Sequence, residues 1–170
     1  MTDVQITDEA KIGARKMREH TNIFARLSPL YAASRQQGQR LLQMGGGLSI
    51  VEWRTLWDLA EVGPMTIRDL AEVQRADHSL LSRALPEMRR KGYVTMTRDS
   101  RDGRQTIVTL TAEGRAAYDR AAPIMASRRA ALREEFTEAE IQTFVDFLGR
   151  FEEFLRRPIE TIIEDKEAAT

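Results

Sequence analysis

The chain has no cysteine. That excludes a disulfide framework, thiolate metal ligation, a thiol nucleophile and thiol-based redox sensing. Aromatic residues are scarce, 6% of 170 positions. With 42% hydrophobic and 31% charged residues, the composition is that of a soluble, helix-rich chain with one ordinary domain and a thin core. No stretch approaches the roughly 18 uninterrupted apolar residues of a membrane span. The start, Met1 to Ala10, is polar and acidic where a signal peptide would be basic and then apolar. The expected location is the cytoplasm, without a membrane partner.

Net charge is also absent, 26 basic residues against 26 acidic, but the charges are segregated. Between Arg83 and Arg104, seven basic residues face three acidic ones, leaving +4; from Arg133 onward, five face eleven, leaving −6. A polyanion is steered by local fields rather than by the sum.

Apolar residues at helical spacing between Thr7 and Met44 predict one long helix bent at Pro29, or two shorter ones. Gly45, Gly46 and Gly47 stop it, as a plain terminus or as a hinge. Ser49 and Glu52 form a capping box for a helix reaching Val62, and Thr66 opens a short one. Asp77 is an N-cap for a third helix to Lys91, with Leu81, Ala84, Leu85 and Met88 on its inner side. The period then changes. Tyr93 to Arg98 and Gln105 to Leu110 are strand-like runs about a turn containing Asp102-Gly103, which predicts a β-hairpin. Thr111 caps a helix into the Glu134 region, broken or bent near Pro123, and Thr137 with Glu140 opens a last one whose apolar stripe runs from Ile141 to Ile162. So apolar a stripe calls for a partner, either within the chain or in a second subunit.

Three short helices followed by a hairpin are the order of a winged helix-turn-helix. The expected fold is mainly α, a winged helix-turn-helix with a two-stranded β-wing, plus N- and C-terminal dimerisation helices. Its regions are 1–44, 45–111 and 112–170. A helix about 10 to 12 Å across fits the major groove of duplex DNA, and a wing reaches the backbone or the adjacent minor groove. Burying the inner side of the third helix leaves His78, Ser79, Ser82 and Arg83 outward near its N-terminus, hydrogen-bonding groups plus one long cation. Arg101 and Arg104 stand in the wing turn, where Asp102 is placed to orient either by a charge-assisted bond. A solvated charged turn is the plain alternative for the wing, and helix capping is the plain alternative for Ser79.

The run Leu48 to Pro123, above all Asp102-Gly103-Arg104 followed by a strand and Leu110-Thr111-Ala112-Glu113-Gly114, resembles the MarR family of bacterial transcriptional regulators. Leu70-Ala71, Ser79 through Arg83, and Lys91-Gly92-Tyr93-Val94 fit the same pattern. The resemblance implies a symmetric homodimer joined through its N- and C-terminal helices, bound to a pseudo-palindromic operator and usually repressing transcription. It further implies that Arg104 enters the minor groove and that Asp102 helps to hold the wing arginines. Many members release DNA when a small aromatic or anionic effector binds between the dimerisation helices and the DNA-binding lobe. By position, Phe24, Tyr31, Trp53 and Trp57 border such a pocket, or else serve core and interface packing. Pro86 departs from the pattern and predicts a kink or an early end to the reading helix.

Nothing supports catalysis. His20 and His78 fall in different helices without a motif, and there is no Gly-rich phosphate loop. Neither a metal nor a cofactor is expected. The alternative function is a helical protein–protein interaction module without sequence-specific DNA binding.

Overall fold

The computed structural model describes residues 8–100 and 104–167, with side chains to residue 163. Eight helices and three strands are found among them. In order they are α1 (Glu9–Thr21), α2 (Ile23–Met44), α3 (Ile50–Val62), β1 (Met65–Thr66), α4 (Ile67–Gln74), α5 (His78–Arg90), β2 (Val94–Arg98), β3 (Thr106–Leu110), α6 (Ala112–Glu135), α7 (Glu138–Leu155) and α8 (Ile159–Glu167). They group into two compact units, Met1–Met125 and Ala126–Thr170. The described helices include none long and apolar enough to cross a membrane.

The N-terminal apolar run is two helices, and the break is at Asn22 rather than at Pro29. Asn22 closes α1 through its backbone N–H to the Glu19 carbonyl (3.2 Å) and opens α2 by accepting from Phe24 N (2.9 Å). One residue thus serves two helix ends, by its backbone at the first and its side chain at the second. Pro29 lies inside α2, where it forfeits only its own amide bond. α2 ends as the glycines predict: Gly46 and Gly47 take positive φ, and Gly47 N donates to the Leu42 carbonyl at 2.9 Å. Gly45 also permits a close approach, since a Cβ there would lie 3.0 Å from Ala121 Cα of α6.

The capping boxes expected at Ser49 and Thr137 are both formed, and Thr66 with Asp69 makes a third. The hairpin pairs Val94 with Leu110 through to Arg98 with Thr106. The sheet has three strands, not two: β1 joins the free edge of β3, Met65 opposite Val108 and Thr66 opposite Ile107, giving the antiparallel order β1-β3-β2. Two residues carry too little periodicity to be seen in sequence. β1 nonetheless covers the edge of β3 and anchors the wing to the start of α4.

Leu42, Leu56, Leu70, Leu81, Leu85, Met88 and Val108 are fully buried in one core shared by α2 to α5 and the sheet. Each such side chain contributes about 1.5–3 kcal/mol of apolar burial. The core draws Ala117, Ala121 and Met125 of α6 onto it. Neither interior proline of the later helices ends its element: α5 continues past Pro86 to Arg90, and α6 past Pro123 to Glu135. Both prolines are exposed.

In the second unit the stripe from Ile141 to Ile162 is divided between α7 and α8. Residues Arg156 to Pro158 separate them, with Arg156 N and Arg157 N closing α7 onto carbonyls of its last turn. Proline before α8 explains the division, because the preceding residue is disfavoured in helical geometry.

Candidate nucleic-acid interface

The outward face of α5 follows from what its inner face buries. Leu81, Leu85 and Met88 are wholly inside, while Ala84 is half-buried. Helical geometry then turns His78, Ser79, Ser82 and Arg83 to solvent, and all four are exposed. Asp77 caps the helix by accepting from Ser79 N at 2.8 Å. That backbone bond holds its carboxyl below the ordinary range, with the Ser79 hydroxyl adding to it. Arg83 folds back so that Nε donates to the Ser79 carbonyl at 3.1 Å. Ser82 Oγ lies 3.2 Å from His78 Nδ1. The far end of the helix adds Arg89 and Arg90, both exposed. Arg90 is engaged by Glu87 through two bonds of 2.6 and 2.8 Å.

Three constructions fix this helix in the lobe; the sequence marked the Ser49–Glu52 box and the Thr111 cap within them, but not the long-range contacts they make. At its N-terminal side the buried Gln74 ends α4. Its amide donates to Asp58 (2.9 Å) and Thr55 (3.3 Å) of α3, and its carbonyl accepts from Arg54 (2.5 Å). Burial raises the Asp58 carboxyl above its ordinary value, against the Gln74 bond and the Arg54 charge, while Glu61 adds to the rise. Arg75 then adopts left-handed geometry (φ 46°) to start the turn into α5.

At the C-terminal side Lys91 Nζ donates to Glu52 Oε1 at 2.7 Å, and Glu52 Oε2 accepts from Ser49 N at 2.7 Å. Glu52 is only 5% exposed. Burial alone would lift its carboxyl, yet Lys91, the Ser49 amide and the Ser49 hydroxyl together hold it below the usual value. Lys91 is raised by the same bond. The pair joins a carboxylate at the positive end of α3 to an ammonium at the negative end of α5, so both helix dipoles favour it.

The third construction explains the sequence pattern Leu110-Thr111-x-x-Gly114. Thr111 Oγ1 donates toward the Gly92 and Tyr93 carbonyls (2.5 and 3.0 Å) and accepts from Gly114 N (3.0 Å). A Cβ at Gly114 would stand 2.0 Å from the Tyr93 carbonyl oxygen. Only glycine lets α6 seat on the chain between α5 and the wing.

In the wing, Val94 and Val108 face the core, while Thr95, Thr97 and Arg98 are exposed. Asp99 N donates to the Gln105 carbonyl at 3.0 Å, carrying the ladder past the last strand pair. Arg104 is exposed just before β3, and Arg98 ends β2. Arg101 and Asp102 lie outside the described residues. The wing's exposed cations therefore include Arg98, which strict alternation would have placed on the same face as buried Val94 and so would not have flagged.

The four aromatic residues expected near a pocket are placed differently. Trp53 is 4% exposed and stacks on Tyr118 of α6 (5.4 Å, 10°), with Trp57 beside it at 5.9 Å. Phe24 and Tyr31 are more than half exposed on α2. The described His, Asp and Glu side chains form no group of three or more that could hold a metal ion.

The MarR family model matches residues 46–105. No curated protein matches the chain. Among solved structures, the Mycobacterium tuberculosis regulator MosR in complex with DNA is 27% identical, with a TM-score of 0.64 over 78% of this chain and 98% of that one. A MarR family regulator from Streptomyces coelicolor in complex with DNA is 22% identical, with a TM-score of 0.68 over 92% and 93%. Bordetella bronchiseptica BpsR, whose DNA binding is regulated by 6-hydroxynicotinic acid, is 18% identical, with a TM-score of 0.60 over 75% and 98%.

Proposed function

We propose that this chain, whose residues 46–105 match the MarR family model, is a transcriptional regulator that binds a pseudo-palindromic operator as a homodimer and represses transcription. The observation that carries the reading is the pairing of two exposed elements on one buried frame. The outward face of α5 presents His78, Ser79, Ser82 and Arg83, and the wing presents Arg98 and Arg104. A helix end with small polar groups suits base edges, and arginines on a projecting hairpin suit the narrow groove and its phosphates. Arg101 and Asp102 share that tip by sequence.

Homodimerisation is supported by apolar side chains that the single chain leaves outside. Phe144, Phe147, Leu155 and Ile159 are 53 to 70% exposed in the second unit, as are Ile23, Phe24, Leu30 and Tyr31, at 53 to 65%, on α2. Exposed apolar surface on this scale marks an association face. The region boundaries 1–44, 45–111 and 112–170 follow that division of labour. Release by a small aromatic or anionic effector is part of the same reading, with Trp57 and the exposed Phe24 and Tyr31 as its candidate contacts; BpsR is a structural neighbour regulated in this way.

Genomic fragments bound by the purified chain supply the operator, which is then titrated at about 50 and about 200 mM salt. Affinity should fall by a factor of about 100 or more, because each phosphate contact releases a counterion. Arg104→Ala should weaken binding about tenfold without changing the dimer mass. Salt-insensitive association with a protein partner, and none with DNA, would instead favour the interaction-module reading.

A further inference from the structure

We propose that His78 sets the hydrogen-bond polarity of Ser82, so that the two residues together distinguish an amino from a keto group in the major groove. The inference rests on α5 being the DNA-reading helix. His78 and Ser82 are four residues apart, exposed on one face, with Nδ1 and Oγ 3.2 Å apart. A serine inside a helix ordinarily turns its hydroxyl to the carbonyl one turn back. Here the hydroxyl has an imidazole nitrogen within reach instead.

A serine hydroxyl has one hydrogen and two lone pairs, and a neutral imidazole has one donor and one acceptor nitrogen. When the imidazole proton is on Nε2, Nδ1 accepts and the Ser82 hydrogen is committed to His78. The oxygen then offers only lone pairs to the groove, which suits the amino group of adenine or cytosine. When His78 is protonated, Nδ1–H must donate to Ser82. The hydroxyl hydrogen is released outward, which suits the keto oxygen of guanine or thymine. Each base pair contains one amino and one keto base at the major-groove edge. The polarity of Ser82 therefore selects the orientation of a base pair.

Among the described residues, the charged groups placed at His78's end of the helix include Asp77, Arg83 and Arg75. Asp77 precedes it as the ionised cap, Arg83 is held to the Ser79 carbonyl one turn on, and Arg75 closes α4. From α3, Glu52 meets Lys91 at the opposite end of α5, about 20 Å away at 1.5 Å per residue.

The test is selection of bound sequences from a random duplex pool by the full chain, its His78→Ala, Ser82→Ala and His78→Asn variants, and Arg83→Ala as reference. At about pH 8 the parent should enrich adenine or cytosine at one half-site position, by about tenfold. His78→Ala and Ser82→Ala should both lose that preference at the same position. His78→Asn, whose amide oxygen can occupy the place of Nδ1, should retain it, and Arg83→Ala should relax a different position. Repeating the parent selection at about pH 5, across the span in which imidazoles titrate, should exchange the preferred base for guanine or thymine. Relaxation at different positions by the two alanine variants overturns the inference, as does a motif unchanged at low pH. If the parent enriches no motif at all, the DNA-reading assignment fails first and takes this inference with it.

Discussion

In the winged lobe Leu56, Leu70, Leu81 and Leu85 are fully buried, whereas α7, with Phe144, Val145, Phe147 and Leu148 in its middle, buries none of its residues. The lobe also completes its polar accounts. Glu52, Thr55 and Gln74 are buried there and bonded, and the described residues include no buried side-chain nitrogen or oxygen without a partner. The α7–α8 unit has amphipathic helices and good caps but lacks a surface of its own to cover them. The contrast separates two ways in which a sequence can be apolar. One set of side chains meets its complement within the chain, and the other is left exposed by the single chain.

The sharpest way to break that contrast is at Gly114. Gly114→Ala should cost about 3 kcal/mol, since the new methyl group meets backbone rather than a movable side chain. A urea midpoint measurement reads this directly, and a change below about 1 kcal/mol would mean that α6 is not seated as described.

Next is Glu52→Gln, which strips the buried charge from the Lys91 bond and should cost about 2 kcal/mol, lowered from the fully buried case because Lys91 reaches solvent. The direction with pH follows from the depressed carboxyl. Its stabilisation is complete above the ordinary carboxylate range and is lost as pH falls through the folded value. Unfolding measured from about pH 7 to about pH 3 should therefore show a shallower acid decline in the glutamine variant. Identical slopes would remove the pair from the lobe's energetics.

The smallest effect tests the exposed set. If the helical unit is completed by a second chain, stability should rise with protein concentration by about 1.4 kcal/mol for each tenfold increase. Phe147→Glu should abolish that dependence and halve the mass found by sedimentation, leaving the lobe's own unfolding unchanged. A parent protein whose midpoint ignores concentration would contradict the dimer.

Where local chemistry was strong, the structure was legible in advance. The boxes at Ser49 and Thr137, the cap at Asp77 and the two strands around Asp102-Gly103 all depend on groups within four residues of each other. The outward side of α5 was equally legible, because burying Leu81, Leu85 and Met88 leaves no other face for His78, Ser79, Ser82 and Arg83. Asn22 was missed although its chemistry is local, since Pro29 was the more familiar breaker. Pro86 does not bring the early end expected of it: α5, fixed by buried leucines on one face, continues past this exposed proline to Arg90.

The order of elements, the caps and the periodicity of each face were set by the chain's own residues, because helix termini and amphipathic stripes are short-range properties. Tertiary contact alone decided that two residues would become a third strand, that Glu52 would meet Lys91 thirty-nine positions away, and that Gly114 must lack a side chain. Those outcomes depend on which surfaces arrive opposite one another, and a linear pattern holds no record of distance between residues remote along the chain.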